Sequence, residues 1–203
     1  MPASLVLLFW AAAAHAEPQR DPDFYNRRGK EHFAAGRVKE AVADFDKAIE
    51  LEPAVAPHHW QRGIALYLAG RYEDCRKQFE LHRTVNPEDA ENAMWHAACV
   101  ARARGPAESR KRLIPTHEDD RVPMMELYRL YKGESTPQKV FEAAAAGAPK
   151  SQLTERFFYA NLYVGLWYAV QGNARAAREH LEKAARDYPV AHFMWTEHFP
   201  IQK

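Results

Sequence analysis

Hydrophobic and small residues recur along this chain at helical spacing, in a pattern that repeats every 34 residues. The segment 62–87 (RGIALYLAGRYEDCRKQFELHRTVNP) aligns without gaps with 28–53 and, three periods later, with 164–189. Each segment contains an apolar run of helical length, a glycine turn, a second such run and a proline. The pattern predicts antiparallel helix pairs that must stack, because one pair cannot bury its own apolar face.

The residues that stay in phase have packing reasons. Glycine inside a helix costs about 1 kcal/mol relative to alanine, so its recurrence predicts a close approach by the partner helix. Prolines cannot continue a helix, and glycines suit the turn that follows one. The predicted framework comprises the crossing glycines Gly29, Gly63 and Gly165, their small partners Ala41, Cys75 and Ala177, the seam residues Phe45, Ala48, Phe79, Leu181 and Ala184, the turn glycines Gly36, Gly70 and Gly172, and the closing prolines Pro53, Pro87 and Pro189.

Followed along the chain, this pattern predicts an all-α fold, an α-solenoid of about five antiparallel helix pairs. The predicted pairs occupy 24–53, 58–87, 90–114, 122–147 and 156–189, and the pair at 122–147 is degenerate. Residues 17–23 and 150–155 are predicted to be linkers. Residues 190–203 are predicted to form a capping helix and tail, in which Phe193, Met194 and Trp195 cover the exposed apolar face of the last pair.

The N-terminus differs in kind from the repeats. Residues 1–16 contain a short apolar run that ends in Ala-His-Ala, and a polar stretch follows. This is the pattern of a secretory signal peptide cleaved between Ala16 and Glu17, and the run is too short to span a bilayer. We therefore expect a periplasmic or secreted protein. No basic residue precedes the run, so either the export signal is weak or the true translation start lies upstream. If the run is instead a buried helix, the protein is cytoplasmic, and that alternative stays open.

Composition narrows the function classes. The chain is 47% hydrophobic and 27% charged, values typical of a globular protein. A net charge of +1 argues against nucleic acid as the main partner, because phosphate binding needs concentrated Lys and Arg. No segment has the spacing of a nucleophile elbow or a phosphate-binding loop. We therefore predict a non-enzymatic protein without a cofactor.

The cysteine and histidine residues give no metal-site pattern. Two cysteines are too few for a disulfide scaffold and lack metal-ligand spacing. Cys75 is interpreted as a small packing residue, and a Cys75–Cys99 bond is left open because only geometry decides it. His58 and His59 are adjacent, so they point to different faces of a helix and cannot share an ion. We predict that the chain has no metal site.

Protein partners are the remaining class, and solenoids bind them on the concave side formed by the first helices of the pairs. Residues on those helices opposite the crossing glycines are expected to line a groove rich in aromatic side chains. Trp, Tyr and Arg dominate protein interfaces. The predicted groove residues are Asn26, Lys30, Trp60, Gln61, Ile64, Tyr67, Met94, Trp95, Tyr128, Arg129, Tyr159 and Tyr163.

The 34-residue pattern resembles the tetratricopeptide repeat over most of 24–189. The order of RGIALYLAGR, MELYRLYKGESTPQKVFEAA and YANLYVGLWYAVQGNARAAREHLEKAA is similar to that in the NlpI family of periplasmic tetratricopeptide lipoproteins. That resemblance implies a non-enzymatic adaptor that brings envelope hydrolases and a protease together. The lipid-bearing cysteine of that family has no counterpart after the apolar run, so we expect no lipid anchor.

Two other functions remain open at this point. The protein could be a structural component of an envelope assembly that acts by self-association, for example as a homodimer. It could also be a cytoplasmic co-chaperone-like module, although Trp60 and Ile64 stand where chaperone-binding repeats would need Lys and Asn.

Overall fold

The computed structural model describes residues 21–190 and Phe193. This part of the chain is all-α and contains no strand. The α-helices are α1 (Pro22–Ala34), α2 (Val38–Leu51), α3 (Trp60–Leu68), α4 (Tyr72–His82), α5 (Ala90–Arg104), α6 (Pro106–Lys111), α7 (Met124–Lys132), α8 (Pro137–Ala145), α9 (Lys150–Val170) and α10 (Ala174–Asp187), and a 3-10 helix spans Pro53–His58. The predicted signal segment, 1–16, and its cleavage site lie outside the described residues, and so does the predicted capping helix and tail, 190–203, apart from residues 190 and 193.

Consecutive helices pack as antiparallel pairs, α1 with α2, α3 with α4, α5 with α6, α7 with α8 and α9 with α10. Neighbouring pairs also contact each other, α2 with α3, α4 with α5, and α8 with α9. One apolar core therefore runs through the whole stack. The prediction of an α-solenoid of helix pairs is confirmed.

Several predicted boundaries were wrong. Residues 150–155, predicted to be a linker, are the first turns of α9, and α1 already begins at Pro22. Residues 54–57, left between the first two predicted pairs, belong to the 3-10 helix. Pro87 does not end the second pair, because α4 ends at His82 and turn hydrogen bonds over 83–86 follow it.

The crossing glycines lie directly under large side chains of the second helix of their own pair. A Cβ atom added at Gly29 would lie 2.6 Å from Cε1 of Phe45, and one at Gly63 would lie 2.7 Å from Cε2 of Phe79. At Gly165 the nearest atom is Cγ of Leu181, at 2.6 Å. The rings and the leucine therefore face the glycines, where the sequence predicted small residues.

In each of the first two pairs, a hydrogen bond from an arginine joins the two helices, which the sequence interpretation missed. The Arg28 guanidinium donates to both carboxylate oxygens of Asp44, at 2.7 and 2.5 Å. One period later, Nη1 of Arg62 donates to Oε1 of Gln78 at 2.8 Å. Asp44 and Gln78 are buried, so these bonds satisfy polar groups inside each pair.

A disulfide joins Cys75 on α4 to Cys99 on α5, with the two Cα atoms 5.9 Å apart. That separation lies in the usual range for disulfides. Both cysteines are fully buried, so they are also small packing residues. The bond links the second pair to the third.

Candidate functional site

Half of the predicted groove residues are buried; of these, Ile64, Trp95 and Tyr159 line the cleft described below, and the other three do not. Met94 and Tyr163 are fully buried and Ile64, Trp95, Tyr128 and Tyr159 are almost so. The cause is strong curvature: α5 contacts both α7 and α9. The rings of Trp95 and Tyr163 meet edge to face with centroids 6.5 Å apart, across the space that an open groove would occupy.

Tyr128 has a structural contact of its own. Its hydroxyl donates to the carbonyl oxygen of Ile114 at 3.2 Å and accepts from the backbone N–H of Thr116 at 3.3 Å. These bonds hold the loop between α6 and α7 against α7. Tyr128 therefore positions this loop, and its hydroxyl is not directed at a ligand.

The other predicted groove residues keep accessible surface. Trp60, Gln61 and Tyr67 on α3 are half-buried, as is Asn26 on α1, whereas Lys30 and Arg129 are exposed. Tyr67 packs edge to face on Trp95 with centroids 5.5 Å apart, and burial raises its pKa to about 12. The accessible part of the predicted surface is therefore concentrated on α1 and α3.

A cleft of about 290 Å³ opens beside α3, between the first turns of α5 and the α6–α7 loop. We call it the central cleft. Aromatic side chains make much of its wall, and polar groups from α5 and the loop make the rest. The lining residues used below are Trp60, Phe79, Asn92, Trp95, Arg121 and Tyr159.

Two buried polar groups of the central cleft have no hydrogen-bond partner among the described residues. Both amide atoms of Asn92, Oδ1 and Nδ2, are unpaired, and so is the indole Nε1 of Trp95. Both side chains are 2% exposed. An unpaired buried polar group costs about 1–3 kcal/mol, so this site is prepared to gain hydrogen bonds.

An ion-pair cluster closes one side of the cleft. Nη2 of Arg121, from the α6–α7 loop, lies 2.8 Å from Oδ1 of Asp89 and 2.7 Å from Oδ2 of Asp119, and Nη1 pairs with Glu91. Burial alone would lower the pKa of Arg121, but hydrogen bonding to Asp119 and the nearby carboxylates raise it overall. The guanidinium therefore stays charged and ties the loop to α5.

Glu91 sits between this cluster and the core. Its carboxylate accepts a hydrogen bond from the hydroxyl of Tyr163, and its side chain is 14% exposed. Burial raises the pKa of Glu91, and the Arg121 charge opposes that shift. Burial and the Glu91 charge raise the pKa of Tyr163, so its hydroxyl remains a donor.

The family model for the tetratricopeptide repeat covers α1, α2 and the first residues of the 3-10 helix. Residues 22–55 match the tetratricopeptide repeat. Repeats of this class generally mediate protein–protein interactions, and the fold is typically non-catalytic. The central cleft has no lining residue within this repeat; it borders α3, the helix that packs on α2 of the repeat.

Metal binding and membrane crossing were the other two properties considered for the described part of the chain. Over 21–190 and 193, no cluster of three His, Cys, Asp or Glu side chains could hold a metal ion. Within the same residues, none of the helices combines the length and the apolar character needed to cross a bilayer.

The sequence interpretation missed Asn92 and Arg121. Asn92 lies in a run of α5 that is buried at every position from 92 to 100. The hydrophobic pattern of this helix therefore did not indicate which side faces the cleft. Arg121 belongs to the loop PTHEDDRVP, whose return to the start of α5 depends on its pairing with Asp89 and Glu91. The one available signal was the mixed charge of this proline-bounded loop.

Proposed function

We propose that this protein is a non-enzymatic adaptor of the cell envelope, which captures a polypeptide segment of its partner in the central cleft. The proposal rests on one observation: the buried, unpaired Asn92 amide and Trp95 indole stand beside aromatic walls. Such a site suits a ligand that carries both hydrogen-bonding groups and apolar side chains.

A peptide group meets the hydrogen-bonding requirement of Asn92. The amide side chain offers two donors and a carbonyl acceptor, and a backbone peptide unit offers one N–H and one C=O. The Trp95 N–H can serve a second carbonyl. Trp60 and Tyr159 would cover the side chains of the captured segment, since a covered aromatic ring buries about 150–250 Å².

The rim of the cleft adds a charge preference. Glu88, Glu118 and Asp120 border the neighbouring surface hollow together with the Arg121 cluster. Glu118 and Asp120 are exposed and Glu88 is half-buried, so these charges face solvent. We therefore expect the partner segment to carry Lys or Arg close to its apolar residue, with an affinity that falls modestly with added salt.

Peptides selected from a random display library on the wild-type protein would test the site. A photoreactive benzoylphenylalanine in place of Trp60 would crosslink the selected peptides, and the same group in place of Leu81, exposed on α4, serves as the matched control. We expect crosslinking at position 60 and little at 81. Equal yields at both positions, or no enriched peptide at all, would contradict the proposal.

The envelope location is a separate part of the proposal. It is supported by the signal-like segment 1–16 and by the resemblance of the repeat order to the NlpI family. N-terminal sequencing of the native protein tests it directly. A mature chain that begins at Glu17 agrees with export, and a chain that retains residues 1–16 in the cytoplasmic fraction would contradict it.

Self-association is the second candidate function. Leu81, at the end of α4, and Val85, in the turn after it, are 38% and 40% exposed and stand four residues apart. Neither lines the central cleft, although their chain neighbours His82 and Asn86 do. Light scattering of the wild type and of Leu81→Glu would test it: a dimer that the substitution dissociates favours the assembly role, and a monomer in both excludes it.

A further inference from the structure

One aromatic ring from the end of the chain lies against the first two helix pairs. Phe193 stacks on Phe33 of α1 with ring centroids 4.3 Å apart, and meets Trp60 of α3 edge to face at 5.3 Å. The sequence predicted that Phe193 would cover the last pair. The observed contacts are instead with the first helices of the first and second pairs.

The chain can make this contact because the solenoid is strongly curved. Phe193 is six residues beyond Asp187, the last residue of α10, and six extended residues reach about 21 Å. The end of the last pair and the inner side of the first two pairs must therefore be close. This is the same closure that brings Trp95 and Tyr163 into contact.

Trp60 is part of both the Phe193 contact and the central cleft. It contacts Phe193, and it also lines the central cleft with Asn92 and Tyr159. A polypeptide held in the cleft would therefore meet the surface that Phe193 covers. Phe33 is 3% exposed, so its ring is almost entirely covered.

We propose that Phe33 and Trp60 form a pocket for an aromatic side chain of a partner polypeptide, and that the chain's own Phe193 fills it until a partner displaces it. This inference rests on the proposed function, since it names the side chain by which the captured segment is anchored. The contacts of Phe193 indicate the kind of ligand expected: an aromatic ring that stacks on Phe33 and meets the Trp60 indole edge to face. Partner binding and release of Phe193 are then linked, so vacating the pocket raises the affinity for the partner.

A labelled peptide of residues 189–203 (PVAHFMWTEHFPIQK) is the probe, titrated by fluorescence anisotropy into full-length chains. An aromatic pair of this kind changes affinity about 2- to 10-fold. We expect the Phe193→Ala chain to bind the peptide tighter than wild type by at least that factor. A second peptide that carries Phe193→Ala should bind both chains more weakly.

The matched control is Phe157→Ala, which removes a similar ring stacked on Tyr188 with centroids 5.3 Å apart, away from Trp60. It should leave peptide affinity at the wild-type value. Should Phe193→Ala fail to fold, Phe193→Leu keeps the apolar contact and should give the same order of affinities with a smaller difference.

Two results would overturn the inference: equal peptide affinity for wild type and the Phe193 variants, or no loss when the peptide lacks its phenylalanine. Failure of the proposed function would look different, because display-selected peptides would then not crosslink at position 60 even if the chain's own peptide binds.

Discussion

Replacing Gly63 by alanine tests the close crossing of α3 and α4. On helix propensity alone the substitution should stabilise the protein by about 1 kcal/mol. The added Cβ would, however, lie 2.7 Å from both Cε2 and Cζ of Phe79, a ring that is 1% exposed. Overpacking of this kind costs about 1–3 kcal/mol, so we expect a net destabilisation of up to about 2 kcal/mol.

The assay is urea unfolding followed by circular dichroism, with a double-mutant cycle as the control. Phe79→Val removes the ring atoms that meet the new methyl group, so in that background Gly63→Ala should be neutral or stabilising. The coupling between the two positions should then exceed about 1 kcal/mol. If Gly63→Ala alone stabilises the protein by the full propensity gain, α3 and α4 do not cross closely at this glycine.

Three further outcomes follow from burial and bonding. Tyr163→Ala should cost about 3–5 kcal/mol, because the ring is fully buried, whereas Trp60→Ala, at a half-buried site, should leave the fold intact; both are measured by urea unfolding. Burial, with the nearby Arg and Lys charges, lowers the pKa of His59 to about 4, while in the unfolded chain it is about 6.5. As the pH falls from 7 to 4, His59 takes up a proton in the unfolded chain but stays largely neutral in the folded chain. The unfolding free energy should therefore drop by about 3 kcal/mol. His59→Asn can still cap α3, and it should abolish this contribution to the pH dependence. Finally, intact mass should rise by about 2 Da when the Cys75–Cys99 bond is reduced, and reduction should lower the unfolding free energy by about 3 kcal/mol; an unchanged mass would show free thiols.

The sequence was sufficient where a residue acts within its own helix pair. It placed Gly29, Gly63 and Gly165 at the helix crossings. It named the small residue twelve positions later as the partner of each glycine, whereas the structure has the large residue sixteen positions later. The helix pairs follow from the same local pattern. Only boundaries such as the start of α9 were missed, since a charged, exposed first turn looks like a linker.

The sequence was insufficient where the result depends on how sharply the pairs turn. Trp95 and Tyr163 have the composition of a binding wall, yet the curvature of the stack brings them together and buries them. The same curvature carries Phe193 back to Phe33 and creates the central cleft around Asn92. The curvature is the sum of the angles between successive helix pairs, so the sequence of a single repeat does not determine it.

The most direct test of the central claim is the affinity of a display-selected peptide for Asn92→Ala. Loss of two hydrogen bonds at a buried site should weaken binding about 5- to 100-fold, with the unfolding free energy nearly unchanged. The matched control is Asn26→Ala, since Asn26 also has a buried, unpaired Oδ1 but lies on α1 outside the cleft. We expect Asn92→Ala to lose much of its affinity for the peptide and Asn26→Ala to lose none. Equal affinity for the wild type and both variants would contradict the account.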